Sequence, residues 1–250
     1  MKATIIALLI SVSFQTVWAQ QFINKATVEF EVKKSILKDM GNNMWDEMMK
    51  ENLPPFKIAY FHFSFSNNKS IYKFDHFDEK IKLPDYMKRE EEENEWYIDY
   101  TNNWFEMKKG VMGSAFYVKD SLQTIQWKLT NERMLIAGFN CRKAIGKIFD
   151  SVYVFAFYTD EIMISGGPCS INGLPGMILG MTIPRLFTSW IATKVIITDV
   201  NEAAIKPAPT KKSFPNKEFK HLLADRTKDW EEYYKDDKTV INRFVWNALL

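Results

Sequence analysis

Thr27 to Lys33 alternates apolar Val28, Phe30 and Val32 with charged Glu29, Glu31 and Lys33, the period of two that marks a half-buried strand. Residues 35–51 read as a helix or helical loop, interrupted at Gly41-Asn42-Asn43 and ended by Leu53-Pro54-Pro55. A hairpin is predicted next. Phe56 to Phe65 (FKIAYFHFSF) runs out, Asn67-Asn68 supplies residues that tolerate positive φ, and Ser70 to Phe77 returns. In the outgoing strand Phe56, Ile58 and Tyr60 occupy one parity and Phe61, Phe63 and Phe65 the other. A one-sided antiparallel sheet would be polar on one parity, so something must cover the second face.

Residues 78–95 end in the run Lys88-Arg89-Glu90-Glu91-Glu92-Glu93-Asn94-Glu95 and read as a solvated loop. Trp96 to Thr101 and Trp104 to Lys108, joined at Asn102-Asn103, form a second hairpin. Further strands are expected at 121–130, 134–137, 141–148, 152–158, 177–181 and 191–198. Val152 to Tyr158 (VYVFAFY) is again apolar on both parities. Asn201 to Pro215 is linker-like, and a helical segment is expected over about 216–246. Roughly nine or ten strands in hairpin succession predict a mainly β (α+β) fold, a curved antiparallel sheet or half-barrel with a few covering helices.

Composition narrows the class. Of 250 residues, 46% are hydrophobic and 15% aromatic, enough for a substantial core and unlike a disordered chain. The 33 basic and 31 acidic residues nearly balance, whereas a nucleic-acid footprint needs a basic excess. Lys2 precedes an apolar stretch that closes at Val17-Trp18-Ala19, the pattern of a secretory signal peptide over residues 1–19. The apolar run falls short of the ~20 residues that span a bilayer, and no later segment reads as a membrane span. A single domain over 20–250, periplasmic or secreted, is the expectation.

That address bears on the two cysteines. In an oxidising compartment Cys141 and Cys169 can pair, closing a loop of roughly 29 residues for about 3 kcal/mol; two buried thiols are the alternative. Neither zinc nor a catalytic cysteine is indicated, because there is no C-x-x-C and only His62, His76 and His221 could contribute. His62 and His76 stand on paired strands, where satisfied strand histidines are expected. Asp160-Glu161 is no acid/base pair, since adjacent strand residues point to opposite faces. The chain holds no G-x-S-x-G, H-E-x-x-H or P-loop motif. No cofactor and no metal is expected.

Trp127, Gly138-Phe139, Cys141, Lys143-Ala144, Tyr158-Thr159, Ile162, Gly167-Pro168 and Gly173-Leu174-Pro175-Gly176-Met177-Ile178 occur in this order over about 55 residues. The set resembles the GLPGLI family, secreted proteins of Bacteroidetes-type bacteria. Met177 replaces the Leu of the family's name, a Trp is missing near Phe155-Ala156-Phe157, and Cys169 is no part of the motif. The resemblance implies no biochemical activity. By analogy it implies a fold similar to the LolA/LolB lipoprotein carriers, a curved sheet with a helical lid. Gly173, Leu174, Pro175 and Gly176 form a motif loop in which Pro second and Gly third have the chemistry of a type II turn.

These readings favour a non-enzymatic binding or accessory protein of the cell envelope, its partner an apolar ligand, a lipid chain or an envelope protein. Phe61, Phe63, Phe65, Tyr153, Phe155 and Phe157 are the expected ligand-binding residues, on the concave face of the sheet. The alternative is a structural or interaction module with a closed core.

Overall fold

The computed structural model describes residues 22–149, 151–210, 212–235 and 237–250, and the expected signal peptide lies outside the described residues. Eleven strands form one open antiparallel sheet: β1 (Ala26–Ser35), β2 (Phe56–Ser66), β3 (Lys69–Phe77), β4 (Glu95–Asp99), β5 (Trp104–Val111), β6 (Ser114–Ser121), β7 (Lys128–Ile136), β8 (Phe139–Ile148), β9 (Val152–Thr159), β10 (Met177–Ile183) and β11 (Thr188–Ile196). Their order is β6-β5-β4-β3-β2-β1-β11-β10-β9-β8-β7. The first strand therefore sits in the middle, flanked by two meanders. Short helices α1 (Ile36–Asp39) and α2 (Met44–Lys50) follow β1, and α3 (Asp85–Glu92) joins β3 to β4. Helices α4 (Asn216–Arg226), α5 (Trp230–Tyr233) and α6 (Thr239–Leu249) close the chain. No helix among the described residues is long and apolar enough to cross a membrane.

The alternation read in β1 holds: Ala26, Val28 and Phe30 are fully buried on the inner face. Phe30 lies opposite Phe61 of β2 and Ala192 of β11. The β2–β3 hairpin turns at Asn67 and Asn68, with φ of 51° and 56°, a conformation Asn tolerates because its side chain bonds locally. Phe61, Phe63 and Phe65 face inward. The outer parity of β2 is covered by single side chains rather than a layer. The Lys33 ammonium lies 4.4 Å from the Phe56 ring centre, and His76 stacks on Tyr60 at 4.5 Å. The Tyr60 hydroxyl donates to Glu31 at 3.3 Å. On the inner face, Phe219 and Leu223 of α4 join the main core, with Phe219 packed on Phe116 at 5.4 Å.

Three expectations are corrected. Residues 122–127 do not extend a strand; the Trp127 indole donates to the Asn172 carbonyl at 2.9 Å, and its ring fills the space over Gly146. β6 was not anticipated, since SAFYVKDS carries a weak alternation; its free edge is bonded by Phe214 through Lys119 N–H to Phe214 O at 2.9 Å and Phe214 N–H to Tyr117 O at 2.8 Å. The acidic run is no solvated loop. It winds into α3, whose last turn packs against β5 where Gly110 has no side chain; a Cβ there would stand 2.6 Å from the Glu90 carbonyl oxygen.

Candidate functional site

Between the inner face of β1–β5 and β11 and helices α5 and α6 lies a half-open cavity of about 350 Å³. Its sheet wall is apolar and aromatic: Val32, Ala59, Phe61, Tyr72, Trp96 and Trp190. Phe61 stacks on Tyr72 at 4.9 Å, and Tyr72 meets Trp96 at 5.4 Å. The helical wall brings Trp230, Tyr234, Val240, Phe244 and Ala248, with Trp230 edge-on to Phe244 at 4.9 Å.

At one end the lining becomes charged, and strand parity explains how. Lys34 continues the inward register of Val28, Phe30 and Val32; Lys57 precedes Ala59 and Phe61; Lys109 follows Phe105 and Met107. Lys34 and Lys57 are direct cross-strand partners, an arrangement that repels unless counter-charges intervene. Two do. Asp39 of α1 meets Lys34 at 2.6 Å and is shared with Arg243 of α6 at 3.5 Å. Glu91 of α3 pairs with Lys57, and its second oxygen accepts from Asn94 Nδ2 at 3.1 Å. Asn94 in turn accepts the Gly110 amide at 3.2 Å, which fixes α3 to β5.

Lys109 has no such partner. Its ammonium lies 4.9 Å from the Trp96 ring centre, and among the described residues it makes no hydrogen bond or ion pair. Burial lowers its pKa, an effect the nearby Glu91 charge offsets only in part. Burial alone would raise the Glu91 carboxyl, but Lys57, then Lys109 and Lys34, hold it at about 2. Cys169 lines the same end; burial pushes its thiol up to about 12, against the pull of Lys109. Its φ of 59° is unusual for a residue with a Cβ. Tyr72 Oη and Trp96 Nε1 are buried without a hydrogen-bond partner. The Trp190 indole, directed at the Tyr72 hydroxyl, falls short of bonding geometry, and burial keeps that phenol protonated.

The residues expected to bind ligand do not converge. Phe61 lines the cavity; Phe63 and Phe65 share its face but lie farther along β2, Phe63 in the core and Phe65 beside a separate pocket near the Asn67-Asn68 turn. Tyr153, Phe155 and Phe157 are on the opposite face of the sheet, because Val152, Val154 and Ala156 take the inward register of β9. There Phe157 flanks Gly180, over which Ile136 packs, and Phe155 lies 5.7 Å under Lys143. The cysteines are both buried and both free, the second of the two alternatives that the sequence leaves open. Cys169 opens on the cavity, whereas Cys141 sits on β8 opposite Met134. His62 and His76 do not face each other; they stand opposite Lys73 and Tyr60. Among the described residues no cluster of three His, Cys, Asp or Glu side chains could hold a metal ion.

The motif loop lies away from the cavity. Its turn is tighter than the expected type II form: the Gly176 amide donates to the Leu174 carbonyl two residues back at 2.8 Å. Gly176 has φ of 138°, and a Cβ there would lie 2.0 Å from the Thr159 carbonyl oxygen. Ser165 Oγ donates to the Leu174 carbonyl at 2.6 Å. This is a structural staple between the β9 end and β10.

No protein-family model matches the chain, and no curated protein matches its sequence. A solved structure of PNGF-II superposes on 80% of this chain and 33% of its own, with a TM-score of 0.51 at 14% identity. The likeness is one of fold alone. This chain spans about a third of the length of that protein. A second PNGF-II crystal form and an uncharacterized conserved protein from Thermus thermophilus superpose less closely, with TM-scores of 0.45 and 0.37 at 16% and 9% identity. They cover 76% of this chain in each case, against 31% and 88% of their own lengths.

Proposed function

We propose that this is a non-enzymatic binding protein that holds a small, largely apolar molecule in the cavity between its sheet and its C-terminal helices. The observation that carries the reading is the cavity itself. About 350 Å³ lies open there, walled by Phe61, Tyr72, Trp96, Trp190 and Phe244. That volume is within the range of small-molecule sites, which combine apolar walls with a few placed polar groups. Burial holds both thiols protonated, at about 12, so neither cysteine is activated as a nucleophile. A periplasmic or secreted location rests on the N-terminal pattern, and kinship with the GLPGLI family rests on the motif blocks.

Native mass spectrometry of the protein starting at Gln20, purified from a periplasm, with organic extraction of the same sample, tests the proposal. A one-to-one adduct of an apolar organic molecule supports it. A clean apo mass that persists after incubation with envelope lipids refutes it.

One feature favours a second reading, an interaction module. α2 turns Asp46 toward the cavity but presents Met44 and Trp45 to solvent at 80% and 69% exposure, with Met48 and Met49 beside them. Such a patch is characteristic of a docking surface.

A further inference from the structure

We infer that the cavity takes an amphipathic carboxylate, its single negative charge placed on Lys109 and its apolar body along Phe61, Tyr72 and Trp96. This rests on the binding reading above and adds the chemistry of the ligand's head.

Lys34, Lys57 and Lys109 all project inward at the same end of the sheet. Asp39 and Glu91 answer the first two. Glu91 has no capacity left for the third, because one oxygen holds Lys57 and the other Asn94. Asp39 is likewise shared between Lys34 and Arg243. Asp46, on the far wall, accepts from the Tyr234 hydroxyl at 3.4 Å. Lys109 is left without a direct partner, partly buried and above an aromatic face. Buried charges are normally paired, and an unpaired one that opens on a cavity marks where an opposite charge is to come from outside the chain. Lys109, the lysine of the three without a direct partner, calls for a single negative charge. The sheet wall beside Lys109 is aromatic, with Asp46 and Glu90 also among the lining residues of the cavity.

Isothermal titration of the purified protein with decanoate, 1-decanol and acetate, each below any micelle concentration, tests this. Decanoate should bind one to one, at least about tenfold tighter than 1-decanol, since charge-assisted hydrogen bonds exceed neutral ones by that order. Acetate, a head without a body, should show no saturable binding. Lys109→Met should abolish the preference for decanoate, and Lys147→Met, an exposed lysine on β8, should retain it. Equal affinity for decanoate and 1-decanol, or a preference that survives in Lys109→Met, overturns the head-group assignment and leaves the binding reading standing. Absence of binding by both decanoate and 1-decanol overturns both. The wild-type comparison alone decides if Lys109→Met fails to fold.

Discussion

Replacing Lys109 by Met should make the ligand-free protein more stable, the reverse of what a buried-site substitution usually does. The side chains are similar in length, and Met keeps the apolar stem in contact with Trp96 while removing the charge. No direct partner is lost: Glu91 retains Lys57 and Asn94 and gives up only the more distant attraction of Lys109. Exchanging buried ionic groups for packed apolar ones stabilises proteins by about 1–4 kcal/mol. Taking about 2 kcal/mol, and about 2–4 °C per kcal/mol for a domain of this size, the melting temperature should rise by about 4–8 °C. The pH dependence carries its own sign. Lys109 has a pKa lower folded than unfolded, so the unfolded chain binds more protons and the wild type gains stability as pH rises. Its deficit against Lys109→Met is fully present at neutral pH and should shrink as pH approaches the ordinary lysine value of about 10.4. Differential scanning calorimetry of both proteins between neutral pH and that value checks this. A fall in melting temperature for Lys109→Met at neutral pH, or a difference that does not change with pH, would refute the claim of a partly buried ammonium without a direct partner.

Other predictions follow from the same geometry. Glu91→Gln removes the counter-charge of Lys57 and leaves two cations facing each other, which should destabilise the fold by about 3–5 kcal/mol in denaturant titrations. Because Glu91 is held at about 2 in the fold, its contribution is present above its unfolded value of about 4.3 and disappears as pH falls toward 2; acid unfolding of Glu91→Gln should lack that component, and an identical acid profile would count against the ion pair. Gly176→Ala should cost more than about 2 kcal/mol, since its Cβ would meet the Thr159 carbonyl at 2.0 Å; a near-neutral effect would show that the tight turn relaxes freely. Thiol titration should find Cys141 and Cys169 unreactive in the native protein and both reactive after denaturation without reductant, whereas a disulfide would leave neither.

Much of the sheet was legible in the sequence because its signals are local. The alternation of β1, the Asn67-Asn68 turn and the hairpin at Asn102-Asn103 are each written within about ten residues. Parity choice was less legible where both faces are apolar. VYVFAFY places Phe155 and Phe157 as plausibly inside as Val154 and Ala156, and only the register against β8 and β10 decides. The charged end of the cavity went unseen for a different reason. Glu91 sits in a run of four glutamates that reads as solvated, and its burial depends on Gly110, far along the chain on β5, leaving room for α3. A signal for the lysines did exist. Lys34, Lys57 and Lys109 each stand where the inward parity of a strand calls for an apolar residue, and charges in an inward register at the same end of one sheet mark a polar site.

The central claim is that the cavity is a ligand site with its anionic head at Lys109, and a crystal structure of the protein grown with decanoate tests it most directly. The account predicts continuous elongated density between Phe61, Trp96 and Phe244, with a carboxylate oxygen within hydrogen-bond distance of Lys109 Nζ, about 2.7–3.2 Å. A cavity closed by the protein's own side chains, or decanoate bound only elsewhere on the surface, would contradict it.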